Sequence, residues 1–409
     1  MSSSSSTLPN GKGIPLLRFP QLVQSEIYAN WDISDIYQFS TLSKVTKSIA
    51  KQMKKPKTEM SLKALGKYNQ VNLAKDETNY KERRFSLCLS PEVWDKLINK
   101  IDYYRLSPFN IEHPVFAENS VESFGSLVEH VQDVFAPKIK EVSFCDWSFK
   151  DADEEELKSY LHWLNGYEKL GKLPKLYVSV QGSTFKVILE NWKLDVGIMD
   201  VRTETSEVCT VDFKVDHLTT FDCEEWADFD VLKRFDCVEV STNTNFSNQD
   251  MNLFLKDWKE GKSYHRAYCF FLGLSERAKW KKMLEGLDAE LRDFRTVKRT
   301  FRFNDNRQVW DYHGGFDIKR ADGKVATVGY CYYQVTDEDQ VPLRPEMFEE
   351  YDRVVRVWNS EDNDEEEEIE DVIVVPEGAV DEHHTEQEYI EHEKRQRNDG
   401  RFLLMMIVW

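Results

Sequence analysis

The chain has 409 residues, 41% of them hydrophobic, and 54 lysines and arginines against 73 aspartates and glutamates give a net charge of −19. That length allows two or three domains with sizeable cores, and the acidic balance argues against general nucleic-acid binding, which draws on basic side chains to neutralise phosphates. The longest apolar run, Phe402–Trp409, is far too short to span a bilayer.

Met1–Thr7 is a serine run without the apolar core of a secretory signal. Cys88, Cys145, Cys209, Cys223, Cys237, Cys269 and Cys331 form no Cys-x-x-Cys pair. The expectation is a soluble, intracellular chain with free thiols, with nothing to choose between nucleus and cytosol.

Ile14 to Lys55 is predicted to form three short helices. The first starts at Pro20, whose ring pre-sets the backbone, and aligns Leu22, Val23 and Ile27 until Asn30 and Trp31 end it. Asp32 is the expected N-cap of the second, with Asp35 in its first turn and Ile33, Ile36, Tyr37 and Phe39 spread over more than one face. Ser43 caps a third that carries Val45, Ile49 and Met53, trails into Lys51, Lys54 and Lys55, and stops before Pro56. Chains near forty residues rarely build a stable core alone, so this apolar surface calls for a partner.

Leu16, Leu17, the pair Phe19-Pro20, Ile27, Ile36, Phe39 and Leu42-Ser43-Lys44 resemble an F-box. Phe19 stands where that family usually has leucine, and Thr46-Lys47-Ser48 replaces its later tryptophan, as in the nematode branch. The resemblance implies docking onto a Skp-type linker, and through it a cullin, by Phe19, Pro20, Leu22, Val23, Ile27, Ile36 and Phe39. The alternative at this point is an ordinary N-terminal helical hairpin of a larger core.

The middle of the chain resembles itself. Lys140–Phe144 has strand character and leads to a helix with Leu157, Tyr160, Leu161 and Leu164 at i, i+3, i+4 and i+7, ended by Gly166. Asp236–Val240 is again strand-like. Ser247 then caps with Asp250, and Met251, Phe254, Leu255 and Trp258 repeat the offsets before Gly261. Strand-like runs follow each helix at Lys175–Val180 and Ala267–Leu274. Such units favour a leucine-rich-repeat-like α/β layer, or else two ordinary units of an open sheet. The tryptophans closing these helices are expected in the core rather than stacking on a ligand; Trp192 and Trp226 are less committed.

Thr210–Leu274 resembles the type 2 F-box-associated domain of nematode F-box proteins, above all in Phe246–Trp258 followed by Gly261. Phe316–Val328 is similar to a later hairpin of that family, with Asp322-Gly323 at the turn, and Met406–Trp409 to its closing strand. The two pieces are separated here by 337–401, which holds nine acids in the eleven positions 361–371 and is expected to loop out as a solvated segment.

Sharper chemistry finds little support. Gly166–Lys172 has most of a phosphate-binding loop, but Leu173 replaces the Ser or Thr that would reach magnesium, and the segment follows a helix. Pairs such as Asp228/Asp230 or Asp195/Asp200 are expected by accident in so acidic a chain. His383, His384 and His392 lack metal spacing, and no Gly-x-Ser-x-Gly elbow is present.

The fold class expected is therefore mixed, α+β with α/β: an F-box at 14–55, a linker and the start of the next domain at 56–120, an α/β recognition domain at 121–336 with core motif 210–274, the acidic insertion 337–401, and a closing strand 402–409. The function expected is a non-catalytic, cofactor-free receptor that holds a target protein for ubiquitination. Its rivals are a ligase-independent scaffold and a hydrolase using carboxylates in an apolar cleft.

Overall fold

A computed structural model describes residues 16–64, 68–75, 83–88, 114–116, 120–145, 154–180, 182–203, 212–221, 229–302, 309–330, 345–360 and 402–409. The chain divides into two compact units, residues 1–140 and 141–409.

The first unit opens with a 3-10 turn, Leu16–Arg18, and three helices, α1 (Gln21–Ala29), α2 (Ile33–Thr41) and α3 (Lys44–Gln52). Capping boxes start two of them. Asp32 accepts from the Asp35 amide while Asp35 accepts from the Asp32 amide, and Ser43 and Thr46 repeat the exchange. Each satisfies two amides that a helix start otherwise leaves open. At the other end of α3, Lys55 donates to the carbonyls of Ala50 and Lys51 at 2.5 and 2.9 Å, the cation-at-C-terminus arrangement that the helix dipole favours.

The described residues of 56–120, expected to be a linker and the start of the next domain, group with these helices, and so do 121–140, expected in the recognition domain. An antiparallel pair, β1 (Thr58–Ala64) and β2 (Tyr68–Lys75), is extended by antiparallel β3 (Arg83–Cys88) and parallel β4 (Pro114–Phe116). The long helix α4 (Val121–Phe135) follows. Met60, Leu62, Val71 and Leu73 from the strands and Phe124, Val128, Val131 and Val134 from α4 are buried.

The second unit is a sheet with helices on one face. β5 (Lys138–Cys145, whose first three residues precede the boundary), β6 (Leu173–Ser179), β7 (Val196–Arg202), β8 (Phe213–Phe221), β10 (Glu239–Phe246) and β11 (Cys269–Leu274) lie side by side in chain order, all parallel. The helices between them are α5 (Glu154–Gly166), α6 (Gly182–Asn191), the short α7 (Phe229–Leu232) and α8 (Asn248–Lys259). Right-handed crossovers that always advance in one direction return on the same face each time. The packing agrees. Trp192 meets Phe144 edge-on at 6.3 Å, Phe254 meets Phe270 at 5.1 Å, and Asn165 of α5 holds the end of α6 through the Asn191 carbonyl and the Lys193 amide.

Register carries one buried row across this face: Val142, Leu176, Met199, Leu218, Val240, Phe270, then Met406 of the closing strand. The four apolar positions of α5 and the four of α8 all lie in this core. The strand expected at Asp236–Val240 is in fact two. β9 (Phe235–Asp236) pairs with β8, and β10 starts afresh at Glu239 because Cys237 is tucked inward; burial pushes its thiol pKa up.

After β11 the short helix α9 (Trp280–Met283) leads to antiparallel strands. β17 (Phe402–Val408) pairs with β11, then come β16 (Val325–Tyr330), β15 (Gly315–Lys319) and the edge strand β12 (Glu290–Arg292). β15 and β16 form the expected hairpin, turned at Gly323 with φ of 92°, which a side chain would resist. A separate pair, β13 (Lys298–Arg302) and β14 (Val309–His313), covers the helix-free face here: Phe301 and Tyr312 bury Cys269, Phe271, Met405 and Ile407. Part of the segment expected to loop out is a helix, α10 (Pro345–Asn359), whose Val354 is buried. The acidic run 361–371 and His383, His384 and His392 lie outside the described residues.

A buried ion cluster ties these strands together. Asp317 accepts from Arg299 at 2.7 Å through both nitrogens of the fork, from Arg292 at 2.6 Å and from Thr327 at 2.7 Å. Burial alone would raise its pKa, but Arg299, Thr327 and Arg292 outweigh it and hold the carboxyl below the ordinary range. A depressed carboxylate stabilises the fold above its unfolded pKa and loses that contribution as pH falls below it. Asp317→Ala is therefore expected to cost about 2 kcal/mol at neutral pH, since removing one partner strands two half-buried cations. Urea titrations of both proteins at pH 7 and pH 3 check this; a gap that does not narrow at the lower pH counts against it.

Candidate functional site

Two surfaces, one in each unit, stand out. In the first, α1 buries none of its residues. Among the described residues nine large apolar side chains are exposed, and six of them, Leu17, Phe19, Leu22, Val23, Leu42 and Val45, fall between positions 17 and 45. Leu22 is 75% exposed, Leu42 73% and Val45 60%. Scattered apolar residues are normal on a protein surface, whereas these six are concentrated in one stretch of chain. The turn before α1 is held in place: Phe19 donates to the Leu16 carbonyl at 3.2 Å and accepts from the Gln24 amide at 2.7 Å.

The expected docking residues separate into two groups. Phe19, Pro20, Leu22 and Val23 are exposed and Ile27 is half-buried. Ile36 at 2% and Phe39 at 8% exposure lie inside the unit, so they support this surface from beneath. Phe39 does so through an aromatic trio with Tyr28 and Trp31, with ring centres 4.8 to 5.7 Å apart, that anchors the end of α1 on α2. Leu42 and Val45 add exposed apolar surface outside the expected set.

α2 and α3 are fastened to α4. Ser40 and His130 share a hydrogen bond of 2.7 Å, and Tyr37 meets the His130 ring edge-on at 5.6 Å. Burial and Lys47 lower the His130 pKa against the pull of Asp133. Lys51 and Lys47 reach Asp133 at 2.6 and 3.0 Å and bring its carboxyl from 3.8 down to about 2. That attachment is full above pH 4 and is lost as pH falls from about 4 to 2. Asp133→Asn is expected to remove this part of the acid dependence of unfolding, and an unchanged pH profile would count against the clamp.

The second surface is the helix-free face of β5 to β10. Register sets Glu141, Lys175, Ile198, His217 and Glu239 in one row and Ser143, Tyr177, Asp200, Thr219 and Ser241 in the next. Neighbouring strands satisfy one another's charges: Lys175 with Asp200 at 2.7 Å, His217 Nδ1 with Glu239 at 2.5 Å, and Tyr268 donating to the same carboxylate. Apart from Ser143, whose hydroxyl goes to Glu141, these rows keep partial or full exposure. The result is a polar face with one apolar spot at Ile198.

The motif 246–258 now has a physical reading. Ser247 and Asp250 cap α8, and Met251, Phe254, Leu255 and Trp258 fill the core. Asn248 and Asn252, two buried side chains that helical periodicity does not flag, pin the chain beyond β11. Asn248 bonds Arg277 and Lys279 at 3.0 and 2.7 Å, and Asn252 donates to the carbonyls of Met283 and Glu285 at 2.9 and 3.0 Å. Leu253, on the outer side, is exposed.

Gly166–Lys172 joins α5 to β6, and Lys172 is committed to Asp216 at 2.6 Å. Asp200 pairs with Lys175, and Asp230 is exposed on α7 near Lys233; Asp228 lies outside the described residues, as does Trp226. Trp192 is buried with its ring N–H on the Leu194 carbonyl. Among the described residues no group of three His, Cys, Asp or Glu is placed to hold a metal, and no helix is long and apolar enough to cross a membrane.

The class so defined is a helical module with exposed apolar side chains followed by a one-sided α/β sheet domain. Residues 209–270, from just before β8 into β11, match the family model described as F-box associated. Comparison with curated proteins and with solved structures finds no match.

Proposed function

We propose that the protein is a substrate receptor of an SCF-type cullin-RING ubiquitin ligase, of the nematode F-box kind. One observation carries the reading: a domain of the F-box associated family shares a chain with N-terminal helices that concentrate six exposed apolar side chains. The Skp-type linker docks on Leu17, Phe19, Pro20, Leu22, Val23, Leu42 and Val45, and Ile27 lies at the margin. Apolar anchors of this sort dominate helical interfaces. The target protein binds the polar sheet face of β5 to β10, whose single-direction strand order supports a leucine-rich-repeat-like layer. The receptor contributes no catalytic group. It raises the local concentration of target lysines near a charged ubiquitin-transfer enzyme.

Co-elution of the full chain with a Skp-type linker and a cullin in one size-exclusion peak is the expected result; a folded chain eluting alone overturns the reading. The scaffold alternative has one observation in its favour. α2 and α3 are fastened to α4 through Ser40–His130 and Asp133, so the helices also belong to their own unit, and in that reading α1 alone meets the partner.

A further inference from the structure

β16 and β17 are antiparallel neighbours, paired from Ala326 with Val408 to Tyr330 with Leu404. A hairpin loop of about two to five residues closes such a pair. Here the chain instead passes through all of 331–401 and forms α10 on the way, so the sheet itself does not require this helix.

α10 lies on a seat built by α9, β12, β15 and Phe294. Phe348 meets Phe294 edge-on at 5.5 Å, Tyr351 stacks on the same ring at 5.8 Å, and Trp358 lies 4.8 Å from Phe316. With the buried Val354, these side chains occupy one stripe of the helix. Two cations clip it down. Arg295 reaches Asp352 at 2.6 Å and covers the Tyr351 ring at 5.1 Å, and Lys281 donates to the carbonyl and hydroxyl of Ser360 at 2.7 and 2.9 Å.

The seat is not filled. A pocket with apolar and aromatic walls persists under the helix, lined by Trp280, Leu291, Phe294, Phe316, Tyr351 and Val354. Walls facing a void lose the contacts that a packed core gains, whereas Trp258, Met251 and Leu255 of α8 are fully enclosed.

We infer that α10 is a detachable occupant of a helix-binding groove. In its place the groove takes an amphipathic helix of a partner protein, with aromatic anchors along one stripe and a carboxylate opposite Arg295. Arg295 selects the carboxylate, Lys281 takes the carbonyl that closes the helix, and the aromatic floor selects the anchors. Because α10 competes from within the same chain, a partner sees only the open fraction of the groove, and its apparent affinity falls by that fraction. This inference stands apart from the ligase reading.

Hydrogen exchange on the full chain tests detachment directly. The α10 amides are expected to exchange at least about a hundredfold faster than those of α8, through local opening. A labelled peptide spanning Pro345–Ser360 then tests the groove: it should bind the full-length F348A/W358A variant at least about tenfold more tightly than the unaltered chain, whose own helix blocks the seat. Equal exchange in α10 and α8 overturns the inference, and so does a folded variant that binds the peptide no better than the unaltered chain. If F348A/W358A does not fold, Asp352→Ala, which removes one clip from α10 and leaves Arg295 in the groove, carries the same peptide comparison.

Discussion

Aspartate at both Leu22 and Val45 is expected to weaken binding of a Skp-type linker by about a hundredfold or more while leaving the thermal midpoint of the full chain within about two degrees. The first half follows from the interface: a buried anchor is commonly worth about 2 kcal/mol or more, and a charge in its place must be desolvated as well. The second half follows from exposure. Both side chains already face water and neither makes a capping bond or ion pair itself, and such surface substitutions usually move stability by about half a kcal/mol or less. Ile36→Ala is the contrasting control. It excavates the interior of α2 and should cost about 2–5 kcal/mol of stability. Calorimetric titration and thermal melts of the two variants separate docking from folding; equal linker affinity in L22D/V45D and the unaltered chain would show that the exposed face is not the docking face.

Trp258→Ala is the largest expected loss of stability, about 3–5 kcal/mol. The indole is fully enclosed at the end of α8, and the Arg320 guanidinium lies 5.2 Å from its ring centre while its fork holds Asp322 at 2.5 and 3.0 Å. Truncation leaves a cavity larger than the neighbouring helices can close and removes the ring on which Arg320 rests. Urea unfolding followed by far-UV circular dichroism measures the loss. A cost below about 1 kcal/mol would contradict the core assignment and reopen a ligand-stacking role for this residue.

Short-range features of this fold are legible in the residues themselves. The boxes at Asp32/Asp35 and Ser247/Asp250 are spelled out within four positions, and the stripes of α5 and α8 follow from helical spacing alone. The site is legible only in part, because amphipathicity says that a side chain leaves water without saying for what. Ile36 and Phe39 look no different in sequence from Leu22 and Val23, yet the first pair is taken up by Tyr28, Trp31 and the interior while the second faces solvent. Non-local pairings decide such cases. Ser40 meets His130 ninety positions away, and no local pattern announces it. The chain-order parallel sheet is likewise set by register between strands tens of residues apart. α10 is hidden by its surroundings, since acidic flanks mask the stripe of Phe348, Tyr351, Val354 and Trp358 that seats it. Asn248 and Asn252 escape notice for a different reason: they look like ordinary surface amides until the Met283 and Lys279 backbones are seen folding back onto them.

The proposed receptor depends on the N-terminal helices docking a Skp-type linker. Calorimetric titration of the full chain with a purified Skp-type linker tests it most directly. Saturable one-to-one binding, with the negative heat-capacity change of buried apolar surface, is the predicted result. No detectable heat at two temperatures, from a chain that still unfolds cooperatively, would contradict it.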